Sequence, residues 1–244
     1  SRINCNGCTF CYTSHQKSRN ILDLTKENNL DRFFEEWMNI YKVNSLNGLY
    51  EIAIVSGCFP DEKSTVEFLL ELNEKVKKLY FNGEIFYLGS QIRTENSLKE
   101  LSKIKRFAYC LTLECFKNRE RFLKKSKSIF TIEHMKDIMK KSIQLGFRTN
   151  FTYIVGLEEL ESLEVGFREL FEYVNSFPII NIFQEHQYQV GIKNEDATHI
   201  EFYLEARKII ENIFLNSAMR PQTWEVCRTL WYTSFDNEDL KNEL

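Results

Sequence analysis

The sequence predicts an α/β fold, an incomplete (β/α)6 barrel that is open on one side. Two observations lead to this prediction. Segments with apolar residues at helical spacing alternate along the chain with short apolar runs typical of buried strands. Strands that are separated by whole helices pair in parallel through right-handed crossovers. An open, doubly wound sheet is the alternative architecture for the same order of elements.

The first part of the chain predicts two helices and two strands. Residues 30–43 have apolar side chains at every third or fourth position, which indicates an amphipathic helix. Residues 50–55 are a short, mostly apolar run that predicts a buried strand, and the helix-periodic segment 62–79 follows it. Residues 84–89 predict the next strand. Helices and strands therefore alternate throughout this region.

The alternation continues through the middle of the chain. A short helix is predicted over residues 95–104, and a strand over residues 107–113, where no side chain is charged. Thr131 is a typical N-cap and Gly146 a typical residue after a helix, so we predict a helix between them. The strand 150–155 follows directly.

The last part of the predicted barrel adds one strand between two helices. Residues 158–176 and 198–214 have helical periodicity, and residues 179–184 predict the strand between them. Residues 2–4 would end a further strand, which would bring the number to six. We expect a segment upstream of this sequence to complete that first strand.

Length and composition favour one barrel with a short extension. The chain has 244 residues, of which 43% are hydrophobic and 27% charged, and its formal charge of -3 does not imply a nucleic-acid partner. No apolar run approaches the roughly 20 residues that span a bilayer, and no apolar signal core begins the sequence. We therefore expect a cytoplasmic protein without a membrane partner. Residues 1–215 would form the core, and the aromatic segment 216–244 would pack on or over it.

Three cysteines near the start indicate a metal site. Cys5, Cys8 and Cys11 lie within seven residues, and no fourth cysteine follows nearby. Because iron-sulfur clusters are held by cysteine thiolates, three ligands would leave one iron of a 4Fe-4S cluster open to an outside ligand. The alternative is a zinc-stabilised binding or scaffold protein in which His15 completes a Cys3His knuckle.

Polar residues follow the predicted strands at the positions where catalytic and binding residues lie in such barrels. These residues include Gly57, Glu114, Arg119, Gln184, Glu185 and His186. Because the carboxyl ends of parallel strands meet at one edge, we expect these side chains to face a common opening. The last three would lie where a substrate is bound, and histidine can move protons near neutral pH.

Several motifs together resemble those of the radical S-adenosylmethionine (SAM) enzymes. Cys8-Thr9-Phe10-Cys11 is similar to the end of that family's three-cysteine signature, although two residues, not three, separate the first two cysteines here. Gly57 stands at the place of the family's glycine-rich motif, where Cys58 replaces the second glycine. The stretches 111–119 and 153–159 resemble the fourth-strand and fifth-strand segments of the biotin-synthase-like and hydrogenase-maturase-like branches.

The resemblance implies a function for each motif. Cys5, Cys8 and Cys11 would hold a single 4Fe-4S cluster, whose open iron binds SAM. The reduced cluster would cleave SAM to a 5'-deoxyadenosyl radical that takes hydrogen from an unidentified substrate. Such an enzyme would be oxygen-sensitive and would receive its electron from a donor such as flavodoxin or ferredoxin.

The resemblance also implies contacts with SAM itself. Gly57 would hold the methionine amino group, and Glu114 with Arg119 would contact the ribose, amino group or carboxylate. Phe10 and Ile154 would enclose the adenine between them.

Overall fold

A computed structural model describes residues 7–11, 24–26, 28–55, 61–187, 189–225 and 229–240. Five parallel strands form one sheet in the order of the sequence. They are β1 (Glu51–Ile54), β2 (Glu84–Gly89), β3 (Phe107–Glu114), β4 (Arg148–Val155) and β5 (Ile179–Ile182). All five predicted strands are thus confirmed, whereas the predicted strand at residues 2–4 lies outside the described residues.

Helices join the strands as the sequence predicts. The elements are α1 (Asn29–Tyr41), α2 (Glu62–Lys78), α3 (Glu95–Leu101), α4 (Arg119–Phe122), α5 (Lys125–Ser128), α6 (Ile132–Gln144), α7 (Leu160–Leu170) and α8 (Ile200–Phe214). Thr131 is the N-cap of α6, because its side chain accepts a hydrogen bond from the His134 amide. The short helices α4 and α5 were not predicted, since four-residue helices carry no periodic signal.

The sequential order of the strands distinguishes the two predicted architectures. In a doubly wound sheet the strand order reverses at a switch point, whereas here each strand pairs with the next one along the chain. The sheet curls into a half-barrel with helices on its outside. The predicted partial barrel is therefore confirmed, and the alternative of an open doubly wound sheet is wrong.

The two faces of the sheet are buried in different surroundings. Side chains such as Tyr109, Phe151 and Tyr153 pack against the helices in the main core. The opposite, inner face carries a smaller apolar cluster in which Phe86 and Cys110 participate. Since successive side chains of a strand point to opposite faces, this alternation identifies which residues line the interior of the half-barrel.

A group of charged residues, which we call the amino-end cluster, lies where the strands begin. Its members are Glu51, Glu84, Arg148 and Glu225. Arg148 Nη2 lies 3.0 Å from a carboxylate oxygen of Glu51 and 2.6 Å from one of Glu84 and one of Glu225. One cation thus ties the beginnings of three strands to a residue near the end of the chain.

The segment after α8 packs against the barrel through aromatic side chains. Trp231 and Phe235 are buried, and both rings contact Phe177, which precedes β5. The Trp231 ring nitrogen donates a hydrogen bond of 2.9 Å to Glu211 on α8. Strand β6 (Ser234–Phe235) then pairs with β7 (Glu238–Asp239) in a small antiparallel ribbon.

Within the described residues, no helix has the length and hydrophobicity needed to cross a membrane.

Candidate functional site

The cysteine loop packs against the carboxyl ends of the strands, in what we call the carboxyl-end cluster. Its members are Cys8, Phe10, Cys11, Cys115, Phe122, Leu123, Ile154, Leu157, Phe183 and Ile192. Three of these come from the loop, and the others follow or end β3, β4 and β5. The structure therefore brings together Phe10 and Ile154, the two residues predicted to enclose an adenine, beside two of the predicted thiol ligands.

Hydrogen bonds fix this loop on the segment that contains α4 and α5. The Thr9 amide donates to the Phe122 carbonyl at 2.9 Å, and the Cys11 amide donates to the Cys8 carbonyl at 3.2 Å, which closes a tight turn. Gly7 has a φ of 98°, and a Cβ there would lie 3.0 Å from the Cβ of Lys124. Glycine suits both the left-handed backbone and this close approach.

The Cys8 thiol lies in surroundings that suit a sulfur ligand. It is 7% exposed, and the Lys124 amide donates a hydrogen bond to its Sγ at 3.5 Å. Burial raises the pKa of Cys8, while the positive charge of Lys127 opposes that rise. An N–H donor to sulfur and a nearby cation stabilise a metal-bound thiolate, and an apolar shell limits the access of solvent to it. The described part of the predicted cluster site therefore fits an iron-sulfur cluster.

Glu114, a predicted cofactor contact, ends β3 in an unusual backbone conformation. Its φ of 71° is in the left-handed region, which is uncommon for a residue other than glycine. Its carboxylate lies 3.6 Å from the Lys127 ammonium, and each of these side chains is only 12% exposed. The turn directs the Glu114 carboxylate toward the same basic segment that contacts Cys8.

Arg119, also a predicted cofactor contact, binds the main chain in this structure. Its Nη1 donates to the carbonyls of Leu113 and Cys115 at 2.7 and 2.9 Å, and its Nη2 to that of Phe130 at 3.2 Å. Among the described residues, its Nε has no hydrogen-bond partner. Burial lowers the pKa of Arg119. The guanidinium thus holds together the loop after β3 and the end of α5.

Glu158 holds the same loop from the other side, a role that the sequence did not reveal. Its buried carboxylate accepts hydrogen bonds from the amides of Phe116 and Lys117 at 2.9 and 2.7 Å, and from the Tyr153 hydroxyl at 2.7 Å. Burial raises the pKa of Glu158, and these donors counteract that rise. Its position directly after β4 was the available signal, because polar residues there face the same edge as the loop after β3.

Two further polar residues on the inner face were also missed. Thr112 on β3 and Thr152 on β4 each follow a residue of the helix-facing core, Leu111 and Phe151, which are paired in register. Both threonines therefore point into the half-barrel. They are almost fully buried, and neither hydroxyl has a hydrogen-bond partner among the residues that the structure describes.

The predicted substrate residues lie after β5, and two of them are next to α8. Gln184 and Glu185 are exposed and line a groove of about 670 Å³ with residues of α8 and with Tyr232. Glu185 accepts a hydrogen bond of 2.8 Å from the Gly191 amide. His186 is half-buried, and its carbonyl accepts the Gln189 amide. Phe183, which belongs to the carboxyl-end cluster, also lines this groove.

Two predicted site residues, Cys5 and Gly57, lie outside the described residues, as does His15 of the zinc alternative. Within the described part of the chain, no three His, Cys, Asp or Glu side chains form a group that could hold a metal ion. The described geometry of the three-cysteine site is therefore that of Cys8 and Cys11.

Comparison with known proteins is informative at the level of structure alone. No protein-family model matches the sequence, and no curated protein matches it. Among solved structures, SuiB from Streptococcus suis, which was determined bound to S-adenosylmethionine, is similar with a TM-score of 0.58 and 13% identity. The match covers 86% of this chain and 45% of SuiB.

A second similar structure is HemN from Escherichia coli, a coproporphyrinogen III oxidase described as a radical SAM enzyme. Its TM-score is 0.55 at 11% identity, and the match covers 84% of this chain and 50% of HemN. The chain therefore spans about half the length of the solved structures that it matches. At these identities the likeness concerns the fold, and the fold of this chain is the partial α/β barrel found in a radical SAM enzyme.

Proposed function

We propose that this chain is the catalytic barrel of a radical SAM enzyme, in which Cys5, Cys8 and Cys11 hold a single 4Fe-4S cluster. The observation that carries the proposal is the carboxyl-end cluster, in which two of these cysteines and Phe10 pack against Ile154 at the ends of the strands. The likeness of the fold to HemN supports the same class of reaction. When bound, such a cluster supplies the electron that cleaves a carbon-sulfur bond of SAM.

The residues of the chain would bind and shield the reactants. Phe10 and Ile154 offer apolar surfaces to an adenine, and the surrounding side chains keep water from the reacting groups. Glu114 would accept hydrogen bonds from the hydroxyl or amino groups of SAM, and Gly57 would let the methionine end approach the backbone closely. Arg119 would support this contact indirectly, since its hydrogen bonds fix the loop on either side of Glu114.

The remaining parts of the proposal concern partners. A one-electron donor such as flavodoxin or ferredoxin would reduce the cluster. The unidentified substrate would enter above the half-barrel, near Gln184, Glu185 and His186. The reactions of SuiB and HemN are properties of those proteins, and the substrate proposed here is not taken from them.

Metal analysis and SAM cleavage test the proposal together. Protein is purified and reconstituted with iron and sulfide without oxygen, reduced with dithionite, and assayed for 5'-deoxyadenosine. The wild type should bind roughly four irons per chain and form 5'-deoxyadenosine from SAM. Cys8→Ala should lose both properties. Cys110→Ala is the matched control, because this buried cysteine lies on the inner face of β3, away from the proposed ligands.

Three outcomes would contradict the proposal. The first is one tightly held zinc per chain with no response to reductant, which would favour the zinc-stabilised scaffold. The second is full iron content and full SAM cleavage in Cys8→Ala. The third is an equal loss of iron in Cys8→Ala and Cys110→Ala, which would show that the loss is not specific to a proposed ligand.

A further inference from the structure

The segment 124–127 lies against the Cys8 sulfur and carries a hydrogen-bond donor to it and a partly buried cation. The Lys124 amide donates a hydrogen bond to Cys8 Sγ at 3.5 Å. Lys127 lies three residues further along, and its ammonium lies 3.6 Å from the Glu114 carboxylate. Its positive charge opposes the effect of burial on the pKa of Cys8. Because the Lys127 side chain is only 12% exposed, solvent screens its charge less than it would screen a surface lysine.

The position of this segment is fixed independently of any ligand. Arg119 donates to the carbonyls of Lys127 and Phe130 at 3.4 and 3.2 Å. The Thr9 amide binds the Phe122 carbonyl, which ties the cysteine loop to the residues just before the segment. The fold therefore holds the main chain at Lys127, and the pair with Glu114 holds its side chain on the side of the segment that contains Cys8's hydrogen-bond donor.

Hydrogen-bond donors and cations beside a cluster thiolate change the reduction potential of the cluster. Reduction adds one negative charge to an iron-sulfur cluster, so hydrogen bonds to its sulfurs and nearby cations favour the reduced form and raise the reduction potential. A nearby carboxylate has the opposite effect. The Lys127–Glu114 pair thus places a raising and a lowering charge side by side next to one ligand.

We propose that Lys127, with the Lys124 amide, sets the reduction potential of a cluster ligated by Cys8, and that Glu114 opposes its effect. This inference rests on the proposed function. Lys127 is a tuning residue in it and does not touch the reacting atoms. Its charge makes the reduced cluster easier to form, and the partly compensating Glu114 keeps the potential from rising further.

The test is the midpoint potential of the reconstituted protein, measured by electron paramagnetic resonance in the absence of SAM. Lys127→Met should lower the ratio of reduced to oxidised cluster about tenfold at a fixed potential, which equals a shift of about 59 mV for one electron. Glu114→Gln should shift the ratio in the opposite direction. Lys127→Arg keeps the charge and should restore the wild-type value.

The matched control is Lys125→Met, which removes an exposed lysine from the same short helix. It should leave the potential unchanged. An unchanged potential in Lys127→Met, or equal shifts in Lys127→Met and Lys125→Met, would overturn the inference while leaving the proposed function intact. If Lys127→Met does not retain iron, Glu114→Gln decides, and a lowered or unchanged potential in that variant would overturn the inference. A wild type that binds no cluster would overturn both proposals.

Discussion

At the amino ends of the strands, buried charges bind one another, whereas at the carboxyl ends Arg119 and Glu158 bind the main chain. Arg148 is surrounded by the three carboxylates of the amino-end cluster, and these contacts fasten distant parts of the chain. Arg119 donates to carbonyls, and Glu158 accepts from amides, of the loop after β3. The first arrangement joins the beginnings of three strands to the segment after α8. The second fixes the loop after β3, which follows Glu114 and lies in the same cluster as Cys8 and Cys11.

The largest effect should come from removing the single cation of the amino-end cluster. Arg148→Met leaves three carboxylates near one another without a counter-charge, and breaking a buried ion pair in this way costs about 3–5 kcal/mol. We expect the free energy of unfolding in urea to fall by about this amount. Arg168→Met is the control, since its pair with Glu164 is exposed and should contribute less than about 1 kcal/mol. Equal losses in both variants would contradict the contrast drawn between the two ends.

The second prediction concerns the change of stability with pH and tests the protonation of Glu51 in the amino-end cluster. Burial and the neighbouring Glu225 raise the pKa of Glu51 from 4.5 to about 7. The folded chain therefore holds this proton more tightly than the unfolded chain does, and the resulting stability is complete below about pH 4.5 and is lost as pH rises through about 7. Glu51→Gln is uncharged at every pH, so it should be more stable than the wild type by about 2 kcal/mol at pH 8 and equally stable near pH 4.5.

Urea unfolding at both pH values checks this expectation. Glu35→Gln, which changes an exposed side chain on α1, is the control and should show no such difference between the two pH values. A Glu51→Gln variant that differs from the wild type equally at pH 8 and pH 4.5 would show that folding does not raise the pKa of Glu51.

A smaller effect is expected at the carboxyl ends. Glu158→Gln removes the charge from an acceptor of two amides and one hydroxyl, and it turns an amide NH2 toward groups that are themselves donors. Because charge-assisted hydrogen bonds are roughly twice as strong as neutral ones, the loss should be about 1–2 kcal/mol. Glu159→Gln is the neighbouring control, because the Glu159 side chain is exposed and accepts a hydrogen bond of 3.3 Å from the Ser162 hydroxyl. Similar losses in the two variants would show that the Glu158 carboxylate does not fix the loop after β3.

Local sequence signals were sufficient to predict the helices and strands. They were insufficient to predict the contacts of buried charged side chains with distant parts of the chain. The strand 107–113 was predictable because an uncharged apolar run is typical of a strand buried on both faces. The Thr131 cap was predictable because capping depends on residues three positions apart. The contact between Arg148 and Glu225 joins residues far apart in sequence, and no local pattern encodes it.

The site residues also divide into those that the sequence could predict and those that depend on long-range contacts. The grouping of Phe10 with Ile154 was implied by the resemblance to the radical SAM enzymes, and it agrees with the convergence of the carboxyl ends of parallel strands. The carbonyl contacts of Arg119 could not be predicted, since they depend on the path of the main chain through α4 and α5. Glu158 was predicted as the first residue of a helix. Instead α7 begins at Leu160, and the Glu158 side chain turns back to bind the amides of the loop.

The smallest effect tests the loop from its other side. Gly166 lies on α7 against the ring of Phe116, and a Cβ there would come within 2.4 Å of ring atoms. Alanine favours a helix by about 1 kcal/mol relative to glycine, but displacing a packed ring costs about 1–3 kcal/mol, so Gly166→Ala should be destabilised by about 1 kcal/mol. Val165→Ala, an exposed neighbour on α7, should change stability by less than about 0.5 kcal/mol.

The informative measurement is the combination of the two loop variants. Phe116 contributes both the ring that faces Gly166 and an amide that Glu158 binds, so the two substitutions act on one loop. Substitutions that share a structural element are not additive, and once Gly166→Ala has displaced the loop, Glu158→Gln should cost less than it does alone. A double variant whose loss equals the sum of the single losses would show that the two contacts are independent. The loop would then not be the single rigid support for the cysteine turn that the contacts of Arg119 and Glu158 indicate.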